Sequence, residues 1–87
     1  MKDIPQFVII KDKITIENDI DFNHIKAHFQ NENDITFIET DGLKMQWKEK
    51  WVHIRKSNTE PIIRIISEAI DSNTAKGLIN SITNIIT

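Results

Sequence analysis

The polar run at residues 55–61, with the sequence RKSNTEP, contains the residue types that bind a phosphate group. Arg55 has a planar guanidinium that can donate two parallel hydrogen bonds to phosphate oxygens. Ser57, Asn58 and Thr59 add short donors, and a tight loop can direct a row of free backbone N–H groups towards one anion. A polar turn that satisfies only its own backbone is the alternative. The run therefore predicts an anion-binding loop at the end of a strand.

Apolar segments on both sides of this run predict the strands that would hold it. Strands are predicted over residues 35–40, 43–47, 51–55 and 62–69. Polar and apolar side chains alternate over the second and third of these segments, and the fourth is rich in isoleucine. Asp41 and Gly42 give a strong hairpin signal between the first two. The predicted sheet is therefore mainly antiparallel.

Two helices complete the predicted fold. Asp21 can cap a helix over residues 22–31, and Asp71 with Ser72 can cap a final helix. The final helix has one apolar stripe, formed by Ala75, Leu78, Ile79, Ile82, Ile85 and Ile86. Near the N-terminus, residues 7–10 predict a strand and residues 11–13 a turn. We expect one domain over residues 1–87, an α+β fold with a four-stranded sheet and two helices on one face.

Composition narrows the classes of function. The 87 residues carry a net charge of −2, and nucleic-acid binders usually have a positive surplus, so a nucleic-acid partner is disfavoured. No stretch approaches the roughly 20 apolar residues of a membrane span, and the N-terminus does not have the pattern of a secretory signal. Cysteine is absent, which excludes disulfides and thiolate metal sites and favours a cytoplasmic location.

Other polar and aromatic residues are weaker candidates. His24 and His28 have a spacing that could place both on a metal, but a third ligand is needed and only scattered carboxylates such as Asp21 lie near in sequence. Solvated histidines are therefore expected and no metal site is predicted. His53 is expected to have a structural role beside Trp51. Trp47 shares a strand face with apolar residues, which favours core or interface packing over sugar stacking.

The polar run and its flanks resemble one known family. Residues 41–44 (DGLK), 51–64 (WVHIRKSNTEPIIR) and 68–69 (EA) look like the C-terminal domain of the phosphohexomutases, the superfamily of phosphoglucomutase, phosphomannomutase and phosphoglucosamine mutase. The family pattern is Asp-Gly, a short strand, then R-x-S-(N/G)-T-E-P and an arginine three residues beyond the proline. Residues 4–7 and 11–14 also resemble the segment that enters this domain.

The resemblance implies a function and a set of site residues. Such enzymes interconvert hexose or hexosamine 1-phosphates and 6-phosphates, and their fourth domain, with a fold like that of the TATA-box-binding protein, binds the phosphate that is not transferred. Arg55, Ser57, Asn58 and Thr59 correspond to the phosphate-binding loop, and Arg64 matches a further arginine near the phosphate in some members. An ion pair with a nearby glutamate is the alternative for Arg64. Lys56 stands where proline or alanine is more common.

The resemblance also implies what this chain lacks. The family's catalytic phosphoserine and its Asp-rich Mg²⁺ loop have no counterpart here, so catalytic and metal residues are expected in other domains of a larger enzyme. The chain is expected to be one domain of that enzyme and inactive alone. Its expected partners are those domains and a hexose or hexosamine phosphate, with no membrane. A free-standing anion- or protein-binding module without enzymatic role is the alternative.

Overall fold

The computed structural model describes residues 7–16, 20–57 and 59–86. Its elements are β1 (Val8–Thr15), α1 (Phe22–Phe29), β2 (Thr36–Ile38), β3 (Leu43–Gln46), β4 (Trp51–Lys56), β5 (Ile62–Ala69) and α2 (Ser72–Ile86). The predicted α+β class is therefore confirmed. Within the described ranges, no helix has the length and apolar character needed to cross a membrane.

The sheet has five antiparallel strands in the order β1-β5-β4-β3-β2, so the predicted count of four is wrong. Strands β2 to β5 form a meander in which each strand pairs with the next along the chain. Strand β1 joins the other side of β5, from Val8 opposite Ala69 to Thr15 opposite Ile62. The prediction of a mainly antiparallel, meandering sheet is confirmed.

Strand β1 is longer than predicted, because the predicted turn at residues 11–13 is wrong. These three residues continue the strand and lie opposite Ile66, Ile65 and Arg64 of β5. A run of three charged residues is unfavourable in a central strand, so such a run usually predicts a turn. Strand β1, however, is an edge strand of the described sheet. Charged side chains are common on edge strands because they prevent pairing with a second sheet.

Both helices contribute to a core on one face of the sheet. The sheet supplies the fully buried Leu43, Met45, Val52, Ile54, Ile63 and Ile65. The helices supply Ile25 and Phe29 from α1 and Ala75, Leu78, Ile79 and Ile82 from α2. Alternation along each strand leaves the other side of the sheet uncovered. We call this side the open face; it carries Lys11, Lys13, Lys44, Trp51, His53, Arg55, Arg64, Ile66 and Glu68.

The first helix begins as predicted and ends early. Asp21 Oδ1 accepts a hydrogen bond from the Asn23 N–H at 2.9 Å, which caps the helix. The helix ends at Phe29, two residues before the predicted end, because the Glu32 N–H turns back to the Phe29 oxygen at 3.0 Å. Asp34 then adopts a left-handed conformation with φ of 63°, which directs the chain into β2.

The second helix is capped by Asp71, as the sequence predicts. Asp71 Oδ1 accepts a hydrogen bond of 2.7 Å from the Thr74 N–H, and the Asp71 carbonyl accepts from the Ala75 N–H at 3.2 Å. The hydrogen bond from the Thr74 backbone lowers the pKa of Asp71 below its ordinary value, because it stabilises the charged carboxylate. This cap anchors a helix that contains Gly77, four isoleucines and two threonines, all of modest helix propensity.

Candidate functional site

The predicted anion-binding loop connects β4 to β5 at one end of the sheet. The Ser57 N–H donates to the Ile62 oxygen at 2.9 Å, and the Ile62 N–H donates to the Glu60 oxygen at 2.8 Å. These two backbone hydrogen bonds make the loop a tight turn. Asn58, predicted to bind phosphate, lies outside the described residues.

The Ser57 hydroxyl organises the interior of the loop. Ser57 Oγ accepts from the backbone N–H groups of Thr59 and Glu60, each at 3.3 Å, and lies 3.4 Å from Thr59 Oγ1. The expected row of free N–H groups is therefore wrong for Ser57 and Thr59, because each N–H has a hydrogen-bond partner. A hydroxyl that accepts two hydrogen bonds still has its own proton, which Ser57 can direct to Thr59 Oγ1 in the 3.4 Å contact. A bound anion could take this proton in place of Thr59, so both hydroxyl groups remain possible donors.

Arg55 lies on the open face two residues before the loop. Its side chain is 54% exposed, and its Nε lies 3.4 Å from Asp41 Oδ2. This ion pair involves Nε, and within the described residues the terminal nitrogens of Arg55 have no ion-pair partner. The sequence pattern indicates for Asp41 only a role in the hairpin turn. The signal that could have found the contact is the β3–β4 register, since Leu43 opposite Ile54 places the turn beside Arg55.

Gly42 allows this close approach. It adopts a left-handed conformation with φ of 78°, and a Cβ there would collide with the Ile54 carbonyl oxygen. The same Cβ would lie 3.3 Å from the Cα and the Cγ of Arg55. A side chain at this position would therefore displace Arg55 as well as strain the turn.

Arg64 lies directly opposite Arg55 across β4 and β5, and it is exposed on the same open face. The described residues include no ion-pair partner for Arg64, so the expected alternative of a pair with Glu60 or Glu68 is not observed. Glu68 accepts a hydrogen bond from Trp51 Nε1 at 2.8 Å instead. The structure therefore brings the two arginines together beside the loop.

Lys56 points away from this group, because successive side chains of a strand alternate between faces. Its ammonium lies 5.6 Å from the centre of the Phe22 ring, on the helix side of the sheet. This contact gives a physical role to the residue whose departure from the family pattern had no explanation. Lys56 supports α1 rather than the open face.

His53 and Trp51 line a shallow cavity next to Arg55. The cavity has a volume of about 310 Å³ and is lined by Ile38, Thr40, Asp41, Lys44, Trp51 and His53. His53 Nε2 lies within hydrogen-bond distance of the Asp41 carbonyl oxygen, which ties the hairpin turn to β4. Lys44 Nζ lies 4.8 Å from the centre of the Trp51 ring. His53 thus has a structural contact with Asp41, and Trp51 has one with Lys44.

The remaining candidates have structural contacts away from the loop. Trp47 is 9% exposed and packs edge-on against Phe29 at 5.9 Å, so the predicted core role is confirmed. His24 and His28 pack against each other with ring centres 5.0 Å apart. In the described part of the chain, no group of three or more histidine, cysteine, aspartate or glutamate side chains could hold a metal ion.

Sequence comparison finds relatives among sugar-phosphate mutases. A phosphoglucosamine/phosphogalactosamine mutase of Sulfurisphaera tokodaii is 33% identical over 86 residues, which is 95% of this chain and 19% of that protein. A phosphomannomutase of Methanocaldococcus jannaschii is 40% identical over 62 residues, which is 71% of this chain and 13% of that protein. A probable phosphoglucosamine mutase of Pyrococcus furiosus is 29% identical over 89 residues, which is 98% of this chain and 20% of that protein. No family model matches the chain.

These similarities confirm the resemblance to the phosphohexomutases. The chain is related to a domain-sized part of these enzymes, and it spans about one fifth of the length of relatives that it matches almost throughout. The matching relatives carry the names of phosphoglucosamine mutases and of a phosphomannomutase.

Proposed function

We propose that this chain is the C-terminal, phosphate-binding domain of a phosphohexomutase. The observation that carries the proposal is the placement of Arg55 and Arg64 side by side on the open face, next to the hydroxyl-lined loop. The similarity to sugar-phosphate mutases supports the proposal, because the alignment with one relative covers 95% of this chain. The fold like that of the TATA-box-binding protein, implied by the family resemblance, is part of the same proposal.

The proposed site binds a phosphate group with charged and neutral donors. Arg55 would donate from its terminal nitrogens while Asp41 holds Nε. Arg64 would add a second guanidinium from the neighbouring strand. Ser57 and Thr59 would donate through their hydroxyl groups, since the loop amides already have a partner. Asn58 belongs to the proposed site on the basis of the sequence.

The proposed role is to hold the substrate rather than to react with it. The bound group would be the phosphate of a hexose or hexosamine phosphate that is not transferred in that step. The described residues offer no cluster that fits Mg²⁺, so other domains of the enzyme would supply the metal and the phosphorylated serine. The isolated chain would therefore bind weakly and catalyse nothing. We further propose a cytoplasmic location, which the absence of cysteine supports.

An NMR titration of the 87-residue chain tests the proposal. Inorganic phosphate and glucosamine 6-phosphate should each shift the amide resonances of Ser57 and Thr59. Arg55→Ala should weaken binding by about tenfold or more, because it removes a charge-assisted hydrogen bond worth roughly 1.5–3 kcal/mol. Lys76→Ala, on the exposed side of α2, is the control for a loss of positive charge and should leave the affinity nearly unchanged.

Shifts confined to residues outside residues 55–64 would contradict the proposal and favour the alternative, a free-standing anion- or protein-binding module. The same conclusion would follow if Arg55→Ala and Lys76→Ala had equal affinities.

A further inference from the structure

A third cation lies in line with the two arginines. The β1–β5 register places Lys13 directly opposite Arg64, and the β4–β5 register places Arg55 opposite Arg64 on its other side. Directly opposite residues of antiparallel strands share a face, with Cβ atoms about 4.5–5.5 Å apart. Lys13, Arg64 and Arg55 therefore form one row across three strands of the open face, which we call the cationic row. All three residues are exposed.

The charges of this row are only partly compensated. Asp41 pairs with Arg55, and the described residues include no ion-pair partner for Arg64 or Lys13. Asp12, the neighbour of Lys13, lies on the other side of the strand and accepts from the Lys13 backbone N–H at 2.8 Å. Like charges that face each other across strands destabilise a sheet. A bound anion would turn this unfavourable arrangement into a favourable one.

The chain also connects β1 to the loop itself. Thr15 lies opposite Ile62, the first residue of β5 after the loop. The Ile16 N–H then donates to the Pro61 oxygen at 2.8 Å, so β1 continues alongside the loop. Lys13 lies two residues before Thr15 on the same side of the strand. A long lysine side chain at this position can reach an anion held between the arginines and the loop.

We propose that Lys13 is a third positively charged residue of the phosphate-binding site. The site then extends from the loop across the open face, and its ligand is a phosphate monoester dianion that three cations surround. This inference rests on the proposed function, since it concerns the same phosphate. It assigns to β1 a direct part in binding, where the family pattern points only to the end of β4, the loop and β5.

Substitution of the lysine tests this assignment in the 87-residue chain. Lys13→Gln keeps most of the aliphatic stem and removes the charge, and it should weaken binding of inorganic phosphate by about two- to fivefold at low salt, as expected for an exposed charge contact. The loss should shrink as the salt concentration rises. Lys13→Arg retains the charge and should keep most of the affinity. Phosphate should also shift the Nε–H resonance of Arg64 in the unchanged protein.

Lys11→Gln is the matched control. Lys11 lies on the same strand and the same face, but its partner across β5 is Ile66, one row further from the loop. The substitution removes the same charge and should change the affinity less than Lys13→Gln does. A ¹H–¹⁵N correlation spectrum of each variant checks that the fold is intact.

Two results would overturn the inference, and they differ in what else they overturn. Equal affinities of Lys13→Gln and Lys11→Gln, with Ser57 and Thr59 still responding to phosphate, would remove Lys13 and leave the loop as the site. Absence of any response at Ser57 and Thr59 in the unchanged protein would overturn the proposed function and this inference with it.

Discussion

Ser67 is a polar side chain enclosed in an apolar core. It is 0% exposed, and its Oγ has no hydrogen-bond partner within the described residues. A buried hydroxyl without a partner costs about 1–3 kcal/mol, the price of removing it from water. Ser67 lies on the helix side of β5, far from the loop, so this cost brings no benefit to the proposed site.

Ser67→Ala should therefore leave the fold intact and raise the free energy of unfolding by about 1 kcal/mol. Urea denaturation followed by circular dichroism measures the change. Ser81→Ala, at an exposed position of α2, is the control and should stay within about 0.5 kcal/mol of the unchanged protein. A loss of stability in Ser67→Ala would show that the hydroxyl has a partner, such as a buried water.

The sequence predicts the sheet face on which the two arginines lie, but it does not predict the hydrogen bonds inside the loop. Alternation along a strand is a local rule, and it puts Arg55 and Arg64 on the face opposite the buried isoleucines. The hydrogen bonds to Ser57 Oγ depend on backbone angles that residue types alone do not specify. The contact of Arg55 with Asp41 depends on the register of two strands and on the left-handed conformation of Gly42.

At the scale of elements, α2 depends on the cap at its first turn. Asp71 is the residue whose pKa is lowered, through hydrogen bonds from Thr74. A carboxylate whose pKa is lower in the folded state stabilises that state above its unfolded pKa, about 4 for aspartate. The contribution is lost as the pH falls through the folded value.

Asp71→Ala should therefore lower the melting temperature at pH 7, and the difference from the unchanged protein should shrink at pH 3. Thermal unfolding followed by circular dichroism at the two pH values gives the comparison. Asp71→Asn keeps an oxygen acceptor and should show a smaller loss at pH 7 than Asp71→Ala. The difference between these two variants should not vary with pH, because neither side chain titrates. A difference between Asp71→Ala and the unchanged protein that is equal at both pH values would contradict a role for the charged carboxylate.

Strand β1 shows why elements can be misread from sequence. The charges at residues 11–13 are typical of a turn, and they lie between two short apolar segments. In the sheet they belong to one continuous edge strand, opposite Ile66, Ile65 and Arg64. No local pattern distinguishes the two cases, because the pairing partner lies near the other end of the chain.

For the whole molecule, the order of β2 to β5 could be predicted from the alternation of polar and apolar residues and from the hairpin signal at Asp41 and Gly42. The position of β1 beside β5 could not be predicted from these patterns. The sheet divides the molecule into a covered side and the open face, and the polar loop lies at one end of the open face. The relatives are about five times longer than this chain, so we propose that the open face meets the ligand together with other domains.

The pairing of β1 with β5 also has a consequence for the order of folding. Contacts within the β2–β5 meander join segments that are close in the chain, whereas β1 must close a long loop before it gains any contact with β5. The hairpins should therefore form in the transition state and β1 should join afterwards.

Kinetics of two matched variants test this order. Ile54→Val in β4 should mainly slow folding, and Ile14→Val in β1 should mainly speed unfolding, as stopped-flow fluorescence of the tryptophans would measure. The opposite pattern would place β1 in the folding nucleus. If β1 joins last, the strand that carries Lys13 is also the last to arrive, and the cationic row becomes complete only at the final step of folding.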